Sequence, residues 1–386
     1  MKIGVRELWI YAVGLFAGAQ LGKMPPLMPL VALDLGLTLV VAAIVISLIE
    51  GAGALFGAGA AAIGARIHYR RTLVGGVVLL SLGGFGEAVA QNGTMLIAFR
   101  ALESLGYLGV VVAAPVLMTR EATRLAPGPA LILWSTFLPV GLAVGAIASG
   151  ALADLAGWRI TLALWAVLGL ALLTLSPRAP PVAADTAPPA LKPSRVALLA
   201  ALGFGCYALF QVGMYALLPQ HLIAEKGASI RLAGLIAGLG GLATVGGVVV
   251  PSILARRLGP HPPVPVLVWA VALFVPPLLL LPVFADGTPL ALAATLFIAL
   301  NVVSGAVAAL VFASLPRFAG HGDMGAASGA LAQAGATGSL CGPPVFALFV
   351  EASGWLAAAA FGLAISAAGF ALLAAAERQA RRTVAH

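Results

Sequence analysis

Apolar residues form long continuous runs along this chain, separated by breaks at glycine, proline and clusters of charge. A helix that crosses a membrane needs about 20 predominantly apolar residues. The runs do not alternate in polarity, as the strands of a membrane β-barrel do, so they predict α-helices. They give twelve predicted spans, numbered here in chain order: 8–31, 38–63, 72–90, 95–118, 128–151, 159–176, 196–219, 232–254, 264–284, 289–312, 325–349 and 355–376.

Composition supports a membrane environment. Hydrophobic residues make up 61% of the 386 residues, charged residues 9%, and the mean hydropathy is +1.08. Soluble domains have about 25% charged residues, so we expect lipid to surround most of this chain. Cys206 and Cys341 lie inside apolar runs and lack metal-ligand spacing, which indicates packing residues. The N-terminus runs into span 1 without a cleavage site, so we interpret it as a first helix and not as a signal peptide.

The two halves of the chain repeat each other. Gly157-Trp158 after span 5 matches Gly354-Trp355 after span 11, an offset of 197 positions. Near the start of each half the offset is 190, as for Pro29 and Pro219. Six helices separate equivalent points, so the repeats are parallel, an architecture that places a central cavity at the repeat interface.

A proline-rich stretch between spans 6 and 7 indicates the boundary between the halves. We therefore predict an all-α membrane protein with a first six-helix half at 1–176, a cytoplasmic linker at 177–194 and a second half with a short tail at 195–386.

Basic residues predict the orientation. If the N-terminus is cytoplasmic, 16 of the 21 lysines and arginines fall in inner segments and three in outer loops. This asymmetry predicts a bacterial inner-membrane protein with both termini cytoplasmic. It also accounts for the pI of about 10.1 without nucleic acid as a partner.

Several motifs resemble those of a known family. Span 4 carries Arg100 with Glu103 three residues later and then Gly106, span 5 is rich in glycine and is followed by Gly157-Trp158-Arg159, and the loop after span 2 ends in Arg70-Arg71. In these motifs, and over essentially its whole length, the chain resembles the major facilitator superfamily. The resemblance implies a secondary transporter of twelve helices.

The chain departs from the family pattern at three places. Arg66 stands where the inner loop usually has an aspartate, Tyr69 stands where a glycine is expected, and span 5 has Gly145-Ala146 where antiporters often have Gly-Pro. Within the superfamily, the run from Gly22 to Pro26 and the Arg-x-x-Glu of span 4 are similar to bacterial permeases of the cyanate-permease-like group.

Four ionisable residues lie well inside the predicted spans: Lys23, Glu50, Arg100 and Glu103. Each costs about 2.5–3.5 kcal/mol at a helix centre, so each needs a partner or a watery cavity. We assign Glu87, near the end of span 3, to the membrane interface. Lys23 and Arg100 lie at similar depth and could hold one anion together, although ion pairs to Glu50 or Glu103 would make them structural instead.

The predicted substrate-binding set adds uncharged groups to these two cations. Tyr207, Gln211 and Tyr215 recur every four residues on span 7, and the other members are Gln20, Tyr107, Asn301 and Gln333. Glu50 and Glu103 are the predicted proton-coupling residues, since a carboxyl group out of water binds a proton more readily.

The leading hypothesis is a secondary transporter of a small anion, coupled to protons and acting as a monomer in the lipid bilayer. The alternative is a proton-driven exporter of lipophilic or cationic compounds, in which Glu50 and Glu103 face the substrate. A third possibility, a membrane-embedded sensor or assembly protein, lacks a soluble sensing domain. No catalytic motif, metal-ligand spacing or cofactor loop occurs, so we expect no enzyme, no metal and no cofactor.

Overall fold

The computed structural model describes residues 4–57, 59, 68–121, 125, 127–177, 192–248, 264–319 and 324–384. Within them the chain is helical and no strand occurs. Span 1 is formed by two helices, Val5–Gly22 and Met24–Leu35. The other spans are formed in order by Leu39–Ser47 with the 3-10 turn Leu48–Glu50, Tyr69–Ala88, Gly93–Arg120, Pro127–Ser135 with Phe137–Thr174, Arg195–Ala224, Ile230–Ala243 with the turn Thr244–Val248, Val266–Phe284, Leu290–Ala319, Met324–Ser353 and Trp355–Val384.

The predicted spans coincide with these helices, and several helices continue beyond the apolar run. The span 10 helix reaches Ala319 and the span 12 helix reaches Val384, beyond the predicted ends at 312 and 376. These extensions carry Arg317, Glu377 and Arg381, which are too polar for the apolar pattern but do not interrupt a helix. Most of the predicted linker, and Arg66, lie outside the described residues.

By length and composition, eight described segments could each cross a membrane. One of them, Leu133–Thr174, covers most of span 5 and all of span 6, and the backbone break at Gly157 divides it into these two spans. Span 1 is interrupted at Lys23, and spans 3 and 11 are less apolar. The twelve-helix arrangement therefore includes spans that hydropathy alone detects weakly.

Paired glycines at the turns confirm the internal repeat. Gly36 and Gly227 have φ of 63° and 65°, and Gly157 and Gly354 have φ of 80° and 84°. Glycine adopts such angles without the clash that a Cβ would cause. Each pair occupies the same position in its half, after spans 1 and 7 or after spans 5 and 11.

Small residues also set the packing inside each half. Gly141 of span 5 lies against Gly18 of span 1, and Gly338 of span 11 lies against Gly205 of span 7. A Cβ at Gly141 would lie 2.7 Å from the backbone oxygen of Leu15. Membrane helices approach closely through such residues, so the same helix contact is built twice.

The halves meet near one membrane face. We call the face that carries both termini the terminal face and the other the far face. Near the far face, Gly150 of span 5 packs on Gly234 of span 8, and Glu351 Oε1 of span 11 accepts a hydrogen bond of 3.2 Å from Val40 N of span 2. The contact between spans 2 and 11 continues toward the terminal face, where Gln333 Nε2 donates to Ala54 O at 3.0 Å.

Candidate functional site

Lys23 is the joint of span 1. It caps the helix Val5–Gly22, donating its N–H to Ala19 O at 2.8 Å, and it precedes the helix that begins at Met24. Pro25 and Pro26 follow and lack the N–H groups that a continuous helix would use. The side chain of Lys23 is fully buried, so its charge needs partners inside the protein.

Lys23 and three other charged side chains meet at this joint, and all four are fully buried. Lys23 Nζ lies 2.7 Å from Glu103 Oε1 and 3.1 Å from Glu87 Oε2. Arg100 Nη1 lies 2.5 Å from Glu103 Oε2 and 3.7 Å from Glu87 Oε1. We call Lys23, Glu87, Arg100 and Glu103 the buried ion cluster. It joins spans 1, 3 and 4 within the first half.

The assignment of Glu87 to the membrane interface was wrong. Its side chain is 0% exposed and lies against Lys23 of span 1 and Arg100 of span 4. Arg159 Nη1 holds the end of span 3 by donating to the carbonyl oxygens of Ala88 and Ala90 at 3.1 and 2.7 Å. Both carboxylate oxygens of Glu87 lack a hydrogen-bond partner within the described residues.

Arg100 of span 4 also forms hydrogen bonds to the backbones of spans 1 and 2. Its Nε donates to Val45 O at 3.1 Å, and its Nη2 donates to Gln20 O at 3.0 Å and Ile46 O at 3.3 Å. Val45 and Ile46 precede the 3-10 turn in span 2, where the α-helical hydrogen bonds are interrupted. Every guanidinium nitrogen of Arg100 therefore has a partner in the protein.

These contacts bear on the predicted anion site. The ion pair between Lys23 and Glu103 has the geometry of the structural alternative, in which an acid neutralises the lysine. An anion held by Lys23 and Arg100 would have to displace a carboxylate that already contacts both. Substrate binding by these two residues stays a prediction.

Glu50 lies between the buried ion cluster and the second half. It ends the 3-10 turn of span 2 and is partly buried. Its carboxyl group interacts with the Tyr107 hydroxyl and with the charge of Arg100. A Cβ on Gly53 would lie 3.7 Å from Glu50 Oε2 and 3.1 Å from the Cβ of Ala336 on span 11, so this carboxyl group is close to the contact between the halves.

Polar side chains of spans 7 and 10 form a second cluster, without formal charge. Gln211 Nε2 donates to Asn301 Oδ1 at 2.7 Å, and Ser304 Oγ donates to Gln211 Oε1. Asn301 Nδ2 donates to Phe297 O at 2.8 Å, and Tyr207 interacts with Ser304. We call Tyr207, Gln211, Asn301 and Ser304 the amide cluster.

The side chains of the remaining members of the predicted substrate set, Gln20, Gln333 and Tyr215, bond to neither cluster within the described residues. Gln20 Nε2 donates to Phe16 O of its own helix at 3.2 Å. Gln333 bonds to span 2 across the contact between the halves. The Tyr215 hydroxyl is buried, without a hydrogen-bond partner among the described residues, and lies near Gly241 of span 8. The structure thus separates the predicted set into several groups.

The predicted site residues did not include Glu87, Ser104 or Ser304. Glu87 completes the buried ion cluster. The sequence signal for it was the preceding pair Gly83-Gly84, because both glycines lie against Glu103 and bring span 3 close to span 4. Ser104, on the stripe of Arg100 and Tyr107, accepts a hydrogen bond of 2.6 Å from Ala52 N. No group of three histidine, cysteine or acidic residues in the described part of the chain could hold a metal ion.

Comparisons with known proteins agree with this architecture. The family model described as Major Facilitator Superfamily matches residues 10–339. A protein of Bacillus subtilis (strain 168), YwtG, which is named provisionally as a metabolite transport protein, is 27% identical over 172 residues. That alignment spans 43% of this chain and 37% of YwtG.

Solved structures share the whole fold. A bacterial homolog to the human lysosomal transporter Spinster, in an inward-facing and occupied conformation, matches with a TM-score of 0.76 and 16% identity, over 98% of this chain and 96% of that one. Its inward-facing, unoccupied structure matches with 0.76 and 15%, over 99% and 98%. This chain belongs to the major facilitator superfamily and is a multi-pass membrane transporter, not an enzyme.

Proposed function

We propose that the protein is a proton-coupled secondary transporter that moves a small solute by alternating access across a bacterial inner membrane. Both termini are cytoplasmic in this proposal, because 16 of the 21 basic residues then lie on the cytoplasmic side. The chain acts as a monomer, since it contains both halves of the repeat interface. The observation that carries the proposal is the position of Glu50, a partly buried carboxyl group beside the contact between the halves.

The packing of the halves supports alternating access. Gly150 and Gly234 bring spans 5 and 8 together near the far face, and the two halves can rock about such a contact without breaking a helix. With the termini in the cytoplasm, the far face is the outer face. The structure then corresponds to a state that is closed to the outside, in line with the inward-facing related structures.

The charges favour a cationic or neutral solute over an anion. The two embedded cations of the first half are already paired with carboxylates at 2.5–3.7 Å. Glu50 has no lysine or arginine within salt-bridge distance in the described residues and lies near the other half. The amide cluster adds neutral donors and acceptors. We therefore propose that Glu50 is the carboxyl group that faces a positively charged substrate, as in the second hypothesis from the sequence.

Transport in proteoliposomes tests this function. A pH gradient should drive movement of an organic cation from a panel that also contains carboxylates, cyanate and neutral solutes. Glu50→Gln should abolish pH-driven movement and weaken exchange of the cation, because the neutral side chain keeps the shape but neither exchanges a proton nor attracts the positive charge. Glu121→Gln is the control, since Glu121 is also buried but pairs with Arg70 at the terminal face.

Two results would contradict the proposal. Unchanged pH-driven transport by Glu50→Gln would remove this residue from proton coupling. Accumulation of a small anion, with no response to organic cations, would restore the first hypothesis and require the buried ion cluster to open.

A further inference from the structure

Among the described residues, the middle of the first half contains an odd number of embedded charges; the buried Glu7 lies at the terminal end of span 1 and is not counted with them. Between the ion pair Arg70–Glu121 near the terminal face and the ion pair Arg159–Asp34 near the far face, the described residues of the first half place five strongly ionisable side chains in the interior. Two are cations and three are carboxyl groups: Lys23, Arg100, Glu50, Glu87 and Glu103. If all five were ionised, the interior would carry one uncompensated negative charge, which is expensive away from water.

Glu103 is the carboxyl group that stays ionised. It accepts a hydrogen bond of 2.7 Å from Lys23 and one of 2.5 Å from Arg100, so both of its oxygens face a cation. Hydrogen bonds to the charged form favour that form. A proton that neutralises the uncompensated charge therefore binds one of the other two carboxyl groups, Glu50 or Glu87.

Glu87 and Glu50 have different neighbours. Glu87 faces Lys23 from span 1 and Arg100 and Glu103 from span 4, but it accepts no hydrogen bond from them. Span 6 approaches this region with Ala166, whose Cβ would lie 3.4 Å from a Cβ on Gly84. Glu50 faces Tyr107 and the Arg100 charge from span 4 and approaches Ala336 of span 11. The hydrogen bonds of Lys23 and Arg100 to carboxylates go to Glu103, so neither Glu87 nor Glu50 is held in the ionised form by one.

We propose that the interior of the first half holds a single proton that Glu87 and Glu50 share, so that one carboxyl group is ionised whenever the other is protonated. This inference rests on the proposed function, in which the protein binds protons, and adds Glu87 as a second proton-binding residue. The exchange is balanced: Glu50 releases a proton and becomes a carboxylate, while Glu87 takes one up and becomes a carboxylic acid. The net charge of the interior does not change.

The position of Lys23 connects this exchange to the contact between the two halves. Lys23 contacts Glu87 and is also the joint between the two helices of span 1. The second of these helices packs Met24, Leu27 and Met28 with Ala216 of span 7, in the other half. Neutralising Glu87 weakens its attraction to Lys23 and leaves the lysine paired with Glu103 alone. The protonation state of Glu87 therefore acts on a helix that packs against the second half.

Infrared difference spectroscopy of the protein in lipid tests the shared proton without transport. A protonated buried carboxyl group has a C=O stretching band that a carboxylate lacks. We expect one such band at neutral pH in the natural protein. Glu87→Gln and Glu50→Gln should each abolish it, because removing either acid leaves two carboxylates to match two cations. Glu121→Gln should keep it, since Glu121 pairs with Arg70 outside the group of five.

The outcomes separate this inference from the proposed function. If Glu50→Gln alone removes the band and Glu87→Gln keeps it, Glu87 holds no share of the proton and the inference is wrong, while the proposed role of Glu50 survives. If neither variant changes the band, the proton lies elsewhere and the inference is also wrong. If both single variants lose the band but vesicles show no proton-driven transport, the inference stands and the proposed function fails. Thermal unfolding confirms that both variants are folded, and we expect their melting temperatures to stay close to that of the natural protein.

Discussion

Lys23 and Glu103 form a fully buried ion pair of 2.7 Å between the joint of span 1 and the middle of span 4. Glu103 contacts Arg100 as well, so one carboxylate serves two cations. This arrangement gives the lysine a structural role at the place where span 1 is broken by prolines. It also shows how the first half can bury several charges at once. Removing these charges from water costs free energy, and a single ion pair offsets that cost only when its geometry is good.

Removing the lysine should therefore affect stability before it affects binding. Lys23→Met leaves Glu87 and Glu103 with one cation between them, and we expect a loss of about 3–5 kcal/mol in the free energy of unfolding, typical of breaking a buried pair. Adding Glu87→Gln should recover most of this loss, because it removes the surplus carboxylate that has no hydrogen bond. Chemical unfolding in detergent measures both changes. Normal stability of Lys23→Met with a lost response to anions would instead support the anion site.

Arg100 should not tolerate replacement by lysine. The guanidinium donates to Val45, Ile46 and Gln20 carbonyl oxygens as well as to Glu103, and a single ammonium cannot reach this set of acceptors. We expect Arg100→Lys to lower the melting temperature, although the charge is conserved. The control is Arg378→Lys, an exposed position on the span 12 helix, where a smaller shift is expected. Equal shifts for both variants would contradict the fastening role of Arg100.

The turn glycines should resist substitution in both halves. Gly157 has φ 80° and ψ 168°, a region that side-chain-bearing residues adopt at a cost of about 1–3 kcal/mol. Gly157→Ala and Gly354→Ala should lower stability by similar amounts, since the two positions are related by the repeat. Gly287→Ala is the control, because no atom lies within 4 Å of the added Cβ and its φ is ordinary. A thermal unfolding series on the three variants checks this, and a harmless Gly157→Ala would refute the strain argument.

A larger side chain at the contact between spans 5 and 8 should separate the two halves at the far face. A Cβ on Gly234 already lies 3.1 Å from the Cα of Gly150 and against the Ala146 carbonyl, so Gly234→Leu cannot fit the closed arrangement. Spin labels at the exposed positions Leu33 and Leu232, one in each half, should report a longer distance in this variant. Gly75→Leu, where the added side chain meets open space within the first half, should leave that distance unchanged. An unaltered distance in Gly234→Leu would show that another contact closes this face.

Cysteine labelling tests the orientation in intact cells. Positions Ala184 and Thr383 should react only with reagents that reach the cytoplasm, and Gly287 should react from outside, because the basic residues assign the terminal face to the cytoplasm. The natural cysteines Cys206 and Cys341 are replaced by alanine first, since both are free thiols. Reversed accessibility at any of the three positions would invert the topology and exchange the inner and outer faces in the proposed mechanism.

The sequence alone determined the spans, their pairing into two repeats and four of the five embedded charges of the first half, Lys23, Glu50, Arg100 and Glu103. In lipid each helix must satisfy its own backbone hydrogen bonds, so a span is a local property that the apolar runs reveal. The repeat was equally visible, because turns such as Gly157 and Gly354 require the same residue type for the same backbone angle. The stripe of Tyr207 and Gln211 likewise predicted polar groups on one face of span 7.

Only the tertiary structure decided which of these groups meet. The partners of Lys23 come from spans 3 and 4, more than 60 residues away, and depend on the register between packed helices, which no local pattern encodes. The burial of Glu87 likewise depended on its contacts with Lys23 of span 1 and Arg100 of span 4. Distances of a few ångströms determine whether a buried charge is free or neutralised, and helix packing sets those distances.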